Sequence, residues 1–259
     1  MEYKIGDLVT RKSHNHDMVF MITYIDDNEV CYLKGVNIRL QADSPIEDLR
    51  LYDSKEDVEQ EEDFLKRASI EYSLNRDDYF YLPGKILHID ADQDYLKRCL
   101  DYYHKASLEA VGVVMNEKEV PGEINSLLEQ YHPSIVVITG HDAYYKNKNI
   151  AEHYKNSSYF VNAVKEARNY EKSHQKLVII AGACQSNYEE LIKAGATFAS
   201  SPKRVNIHAL DPAIIATKIS LTCTSESIDL KELLNRTKYG PEGIGGLQTN
   251  GMMYVGYPR

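Results

Sequence analysis

The sequence has no tryptophan, only four cysteines in 259 residues, and no apolar run that approaches the roughly 20 residues needed to cross a bilayer. The cysteines form no C-x-x-C pair and have no histidine at zinc-ligand spacing, so neither a disulfide framework nor a metal site is predicted. The opening residues, "MEYKIGDLVTRK", lack the apolar core of a signal peptide. We therefore expect a cytoplasmic protein with free thiols and no membrane span.

Positive charge is also scarce, because 30 Lys and Arg stand against 39 Asp and Glu, for a formal net charge of -9. Proteins that bind nucleic acid present clustered basic side chains to the phosphates, and no such cluster is visible here. A nucleic-acid partner is therefore not expected. The length is sufficient for one domain of ordinary size and a smaller one.

Three regions are predicted along the chain. Residues 1–53 contain β-rich stretches such as "MVFMITYI" and "EVCYLK" separated by turns, which is typical of a small β-barrel of SH3 type. Residues 54–82 begin with a run of acidic side chains, which favours a solvated linker. In residues 83–259, apolar runs alternate with segments of helical periodicity.

That alternation predicts a doubly wound α/β domain with a parallel sheet covered on both faces. Five apolar strands are expected, in the common order 2-1-3-4-5. Pro121 and Pro212 suit helix starts, where a missing N–H is harmless. The glycine-rich segment "GPEGIGGLQTNG" lacks the context of a phosphate-binding loop and is predicted to be a loop that closes on the domain.

Two strand ends carry side chains suited to catalysis. The third strand runs into "VVITGHDAYYKNK", which places His141 after it, and the fourth runs into "LVIIAGACQSNYEE", which places Cys184 at the matching point. In the predicted order these strands are neighbours, and ligands of open parallel sheets bind at the carboxyl ends of the strands. A single cysteine after a buried strand is usually inert, and a single histidine in a loop is usually a surface residue. The prediction of a catalytic dyad therefore rests on the pairing of the two.

The chemistry assigns a role to each member of the pair. A thiolate is the nucleophile, and Cys184 lies at the start of a predicted helix, whose N-terminal N–H groups favour a negative sulfur. His141 would accept the thiol proton and return it to a leaving group. The backbone N–H of Cys184 would contribute to an oxyanion hole.

Two other interpretations stay open. The first half of the domain resembles a response-regulator receiver, with Asp90 and Asp92 as its acidic pair, but Thr139 and His141 stand near the place of the phosphate-accepting aspartate. That interpretation would make the domain a regulatory or binding module. The segment "GACQS" also resembles the nucleophile turn of class I glutamine amidotransferases, with "IHALDP" supplying His208 as the base, although Ser186 replaces the final glycine of that turn.

Several blocks of the sequence together resemble one family. These are "YKIGDLVTRKSHNHD", "LHIDADQDYLKRCL", "VVITGHDAYYKNKN", "IIAGACQSNYEELIKAGATFASSPKRVNIHALDP" and "GPEGIGGLQTNGM", and they closely resemble the YabG family of sporulation-specific proteases. The resemblance implies a cysteine endopeptidase without a cofactor that processes spore coat and related precursor proteins, in the mother cell and at the forming coat. Its histidine and nucleophile fall on His141 and Cys184.

The same order of histidine and cysteine is similar to that of caspase-like and gingipain-like peptidases. In those families a glycine that follows the histidine supplies an oxyanion N–H, whereas here Asp142 follows and the candidate, Gly140, precedes His141. The resemblance to the YabG family implies cleavage after arginine, and a basic side chain needs an acidic pocket. Four carboxylates at the strand ends are candidates for that pocket: Asp90, Asp92, Asp142 and Asp211.

Overall fold

The computed structural model describes residues 3–52, 63–68, 79–145 and 154–258. The chain divides into two compact units, Met1–Lys66 and Arg67–Arg259. Within the predicted linker, residues 63–68 are helical, while residues 53–62 and 69–78 lie outside the described residues. The predicted linker boundaries at residues 54 and 82 therefore stay a prediction.

The first unit contains one antiparallel sheet in the order β4-β3-β2-β1-β5. Its strands are β1 (Leu8–Arg11), β2 (Phe20–Ile25), β3 (Val30–Gly35), β4 (Gln41–Pro45) and β5 (Leu49–Leu51), with short 3₁₀ helices at Lys12–His14 and Ile46–Asp48. Apolar side chains on one face form its core, including Phe20, Ile22 and Leu33. No ladder joins β4 to β5 among the described residues, so the expected closed barrel of SH3 type is not confirmed.

The second unit is built on a six-stranded sheet in the order β12-β11-β10-β9-β7-β8. Its strands are β7 (Ile86–Asp90), β8 (Ala110–Val114), β9 (Ile135–Thr139), β10 (Val178–Ala181), β11 (Phe198–Ser200) and β12 (Ile244–Gly246). Strands β7 to β11 run parallel, and their order confirms the predicted 2-1-3-4-5 arrangement. β12 adds an antiparallel strand at the edge beside β11.

Helices cover both faces of this sheet. They are α1 (Gln93–Lys105), α2 (Val120–Tyr131), α3 (Ser157–Tyr170), α4 (Tyr188–Ala194), α5 (Asp211–Leu221) and α6 (Leu230–Asn235). α2, α3 and α4 contribute to one large apolar core with the strands, whereas α1 and α5 contact the sheet and each other outside that cluster. Pro121 and Pro212 lie in the first turns of α2 and α5, as predicted. Among the described residues, no helix has the length and apolarity to span a bilayer.

The glycine-rich segment near the C-terminus is partly a strand, so the prediction of a loop there is wrong. A 3₁₀ helix at Gly240–Glu242 leads into β12, where Gly246 lies opposite Phe198. A Cβ on Gly246 would lie 2.3 Å from the Phe198 ring and 2.6 Å from the carbonyl oxygen of Thr197. Glycine is therefore required by the close approach of the strand rather than by a turn. A two-stranded ribbon of β6 (Phe80–Leu82) and β13 (Tyr254–Gly256) completes the unit.

Candidate active site

The carboxyl ends of β9 and β10 place the two predicted catalytic residues at equivalent points of neighbouring strands. Ile138 lies directly opposite Ala181 in the parallel ladder. His141 and Cys184 each follow three residues after those paired positions, so the two loops leave the sheet side by side. This is the arrangement that the strand order predicted, and it provides the scaffold on which a nucleophile and a base can act together.

The turn that carries Cys184 depends on two unusual backbone conformations. Gly182 has φ +109°, and a Cβ there would lie 3.2 Å from the Ser200 side chain. Gln185 has φ 58°, and its N–H donates to the Ser201 hydroxyl at 2.9 Å. The Ser186 hydroxyl accepts from the N–H of Ala183 at 2.9 Å and closes the turn. Ser186 therefore has a structural role at the position where the amidotransferase turn has glycine.

Cys184 is completely buried, and its sulfur lies against the backbone of Ile207. The N–H of Ile207 donates to Sγ at 3.3 Å, and the carbonyl oxygen of the same residue lies 3.8 Å from Sγ. An N–H directed at sulfur stabilises a negative charge on it. The connection between β11 and α5 thus forms one wall of the cysteine site.

His141 is held between α1 and the connection that follows β8. Its Nε2 lies 3.3 Å from Oδ2 of Asp92, and its ring lies 5.9 Å from the ring of Tyr95, centroid to centroid. Its backbone N–H donates to Oε1 of Glu117 at 2.7 Å, and its carbonyl oxygen accepts from the Asn156 side chain at 2.7 Å. The side chain keeps 14% of its surface exposed. The histidine is therefore fixed in position with a partly exposed ring, while its Nδ1 atom is buried.

Glu117 is a residue of this site that the sequence did not indicate. It is 6% exposed and follows β8, a strand end at which the sequence analysis placed no candidate. Its side chain occupies the space above Gly140, where a Cβ would lie 2.6 Å from Oε1 and 2.9 Å from Cγ. The available signal was the glycine itself, since its lack of a side chain next to the candidate base allows a neighbour to approach closely.

Replacing Gly140 with alanine should therefore displace Glu117 and release the backbone of His141. On the prediction from the sequence that His141 is the base of a peptidase, we expect kcat/KM for peptide cleavage to fall about 10- to 100-fold, because small displacements of a catalytic group carry costs of that size. Gly122→Ala is the matched control, since no atom lies within 4 Å of a Cβ at Gly122 in α2. Steady-state kinetics of the two variants test the expectation, which is contradicted if Gly140→Ala and Gly122→Ala have equal activity.

Asp142, a candidate for substrate binding, is 4% exposed, and its carboxylate accepts hydrogen bonds from three segments of the chain. Oδ1 accepts from the N–H groups of Ala143 and Asn156 at 2.9 and 2.8 Å. Oδ2 accepts from the hydroxyl of Ser186 at 2.9 Å and makes a short hydrogen bond with the hydroxyl of Ser157. The carboxylate thus joins the histidine loop to the cysteine turn and to the start of α3. Direct contact with substrate stays a prediction for it.

Asp90 and Asp211, two further candidates, are completely buried. Asp90 accepts from the N–H of Asp92 at 2.9 Å and from the Thr139 hydroxyl at 2.8 Å. Asp211 accepts from the N–H of His208 at 2.9 Å and from the N–H of Lys238 at 2.8 Å. Both carboxylates therefore hold the backbone around the site, and their predicted role as a pocket for arginine stays a prediction.

His208, the alternative base, lies next to the segment that covers Cys184. It is completely buried, and its Nδ1 accepts from the N–H of Leu210 at 3.1 Å. That hydrogen bond stabilises the turn at the start of α5. The structure thus places one histidine in a partly exposed loop and the other within the turn that forms the cysteine wall.

Two of the other cysteines, Cys223 and Cys31, lie away from this site. Burial raises the pKa of the Cys223 thiol, and Glu226 raises it further. Burial also raises the pKa of Cys31, which lies in the other unit. Both effects keep these thiols protonated and weakly nucleophilic. Among the described residues, no group of three His, Cys, Asp or Glu side chains is placed to hold a metal ion.

The site and the whole sequence can be compared with known proteins. The profile of the family described as YabG peptidase U57 matches residues 4–258. The chain belongs to the YabG peptidase family. The sporulation-specific protease YabG of Bacillus subtilis (strain 168) is 41% identical to this chain over an alignment of 286 residues. The alignment covers 100% of this chain and 99% of that protein.

Membership of the YabG family confirms the resemblance noted in the sequence and makes the chain a protease, a hydrolase of peptide bonds. It favours the peptidase interpretation over the receiver-like regulatory interpretation. The match extends over both units, so the antiparallel sheet of the first unit is part of the family pattern as well as the α/β domain.

Proposed function

We propose that the chain is a cysteine endopeptidase in which Cys184 is the nucleophile and His141 the base. The observation that supports this most directly is the equivalent placement of the two residues after the paired strands β9 and β10. Two further features fit the proposal, namely the Ile207 N–H directed at the sulfur and the carboxylate of Asp92 beside the imidazole. Both would stabilise the charges of a thiolate–imidazolium pair.

The proposed reaction has two stages and needs no cofactor. The thiol proton of Cys184 moves to His141, and Sγ bonds to the scissile carbonyl carbon. The N–H groups of Cys184 and Gly140 are the proposed donors to the oxyanion. The C–N bond then breaks, His141 returns the proton to the departing amine, and water hydrolyses the thioester. Because Sγ lies against Ile207 in this structure, the substrate carbonyl must displace part of that wall to reach it.

For the substrate, we propose spore coat and related precursor proteins, cleaved after arginine, with the enzyme acting in the mother cell. The sporulation-specific protease relative supports the setting. The net charge of -9 is compatible with binding a basic side chain, and carboxylates surround the strand ends. The four candidates for the carboxylate that faces that side chain are Asp90, Asp92, Asp142 and Asp211.

The experiment pairs an unstructured peptide that contains one arginine with the same peptide carrying citrulline at that position. Citrulline keeps the shape of arginine but removes its charge, so we expect cleavage of the arginine peptide to be favoured at least about 100-fold. A peptide ending in an arginine chloromethyl ketone should form a stoichiometric adduct, located by mass spectrometry on Cys184. Equal cleavage of the two peptides would refute arginine specificity, and full activity after complete modification of Cys184 would refute the cysteine mechanism.

A further inference from the structure

We infer that Asp92 is a positioning residue that sets the orientation and tautomer of His141, and does not bind substrate. This inference rests on the proposed role of His141. Oδ2 of Asp92 lies 3.3 Å from Nε2 of His141, and the two side chains are only 10% and 14% exposed. At such low exposure, water screens the interaction between a carboxylate and an imidazole only weakly.

The other oxygen of Asp92 is already engaged, which fixes the direction of the carboxylate. Asp92 is the N-cap of the 13-residue helix α1, and Oδ1 accepts from the N–H groups of Asp94 and Tyr95 at 2.9 and 3.2 Å. With Oδ1 held by the helix, Oδ2 points to the imidazole. The cap and the interaction with His141 thus use different oxygens of one side chain. The capping role is sufficient by itself to explain why the residue is an aspartate.

A buried hydrogen-bond chain fixes the backbone of Asp92 relative to the histidine loop. The N–H of Asp92 donates to Asp90 at 2.9 Å, and Asp90 accepts from Thr139 at 2.8 Å. Thr139 ends β9 and precedes His141 by two residues. His88 extends the chain into the core, with Nε2 2.9 Å from the Thr139 hydroxyl and Nδ1 2.9 Å from the Tyr103 hydroxyl. The separation between Asp92 and His141 is therefore set by the sheet itself.

The carboxylate has a chemical consequence for the imidazole. A negative oxygen beside Nε2 favours a proton on that nitrogen, which leaves the lone pair of the neutral ring at Nδ1. Nδ1 is then the atom that accepts the proton from the nucleophile. Asp92 also stabilises the imidazolium when it forms, as a carboxylate does in a catalytic triad.

Three other groups described around His141 make contacts of a different kind. Glu117 accepts from the backbone N–H of His141, and the Asp142 oxygens accept from neighbouring hydroxyl and amide groups. Tyr95 packs its ring against the imidazole. The carboxylate of Asp92, by contrast, lies beside the Nε2 atom of the imidazole.

Kinetics separate a positioning role from the substrate-binding role that the sequence suggested for Asp92. Loss of a residue that binds the arginine side chain raises KM and lowers the preference for arginine over citrulline. Loss of a residue that acts through His141 lowers kcat and leaves KM and that preference unchanged. The two roles therefore predict different changes in the same measurements.

The test uses Asp92→Asn and Asp92→Ser, both of which keep a good N-cap while removing the negative oxygen. We expect kcat to fall about 10²- to 10⁴-fold in each, with KM within about 3-fold of wild type. Asp229→Asn is the matched control, because Asp229 caps α6 in the same way, accepting from Glu232 N–H at 2.9 Å on an exposed surface. Melting temperatures of all three variants report whether the fold is kept.

A second readout needs no substrate. Alkylation of Cys184 by iodoacetamide, followed by peptide mass mapping from about pH 5 to 9, reports the thiolate that the imidazolium stabilises. In Asp92→Asn the alkylation rate near neutral pH should fall about 10-fold, and its midpoint should move to higher pH. A purely structural cap would leave the midpoint unchanged.

Each outcome decides between named alternatives. Wild-type kcat and an unshifted alkylation midpoint in both Asp92 variants would overturn the inference, and so would a rise in KM with loss of arginine preference. The failure of the proposed function itself would be seen separately, as full activity in Cys184→Ala or His141→Asn.

Discussion

Replacing Cys184 with alanine is expected to lower kcat/KM for peptide cleavage at least about 10⁴-fold, because removal of a covalent nucleophile leaves only the contributions of binding and the oxyanion hole. The fold should persist. The lost sulfur contacts the backbone of Ile207, and its removal should cost about 1 to 2 kcal/mol. Activity is measured on the arginine peptide, and folding is followed by circular dichroism and calorimetry.

Cys99→Ala provides a matched control within the same domain. Cys99 is also completely buried, and its sulfur also contacts the β11–α5 connection, where Sγ donates to the carbonyl oxygen of Ala209 at 3.4 Å. The two variants therefore make the same chemical change beside the same segment. We expect Cys99→Ala to keep activity within about 3-fold of wild type with a similar loss of stability. Equal activity of the two variants would show that Cys184 is not the nucleophile.

The arrangement of the sheet could be predicted because its signals are local. Each strand of the parallel core is a short apolar run, such as Ile135–Thr139 with all five residues buried, and each is followed by a helix, although the last of these, α5, is buried almost throughout. Right-handed crossovers and the common strand order then place the third and fourth strands side by side. Once that order is known, the equivalent offsets of His141 and Cys184 follow from the numbering alone.

The supporting residues could not be predicted in the same way, because their roles depend on contacts between distant segments. Asp92 is a suitable helix cap whether or not a histidine lies beside it, so the sequence does not reveal its second contact. Glu117 approaches His141 from the end of another strand, 24 residues away in the chain. Ser186 is ordinary in sequence, yet its hydroxyl links the cysteine turn to Asp142. Such residues are visible only when the strand ends are assembled.

The edge strand β12 shows a different limit of sequence reasoning. Glycines normally weaken a strand, so "GIGG" favoured a loop. Here the carbonyl of Thr197 and the ring of Phe198 lie so close to Gly246 that any side chain would collide with them. Packing against β11 therefore determines the structure of this segment in spite of its low intrinsic preference for strand.

Substitution of His141 is expected to lower activity strongly, and it separates the two candidate bases. We expect His141→Asn to lower kcat/KM about 10³-fold or more, since the proton acceptor is lost while a polar side chain of similar shape remains. His208→Asn should keep activity within about 5-fold of wild type, because the asparagine oxygen can replace Nδ1 as the acceptor for the N–H of Leu210. Its main expected effect is a loss of stability of about 1 kcal/mol.

The pair is informative because the two histidines differ in the property that matters for catalysis. His141 is partly exposed and lies beside a carboxylate, whereas His208 is completely buried within a turn whose backbone it stabilises. A carboxylate beside the imidazole can stabilise the imidazolium that a base forms, which favours His141. Retained activity in His141→Asn with loss in His208→Asn would instead move the base to the β11–α5 connection. The wall of the cysteine site would then be catalytic, and the order of nucleophile and base would be that of the amidotransferase-like arrangement.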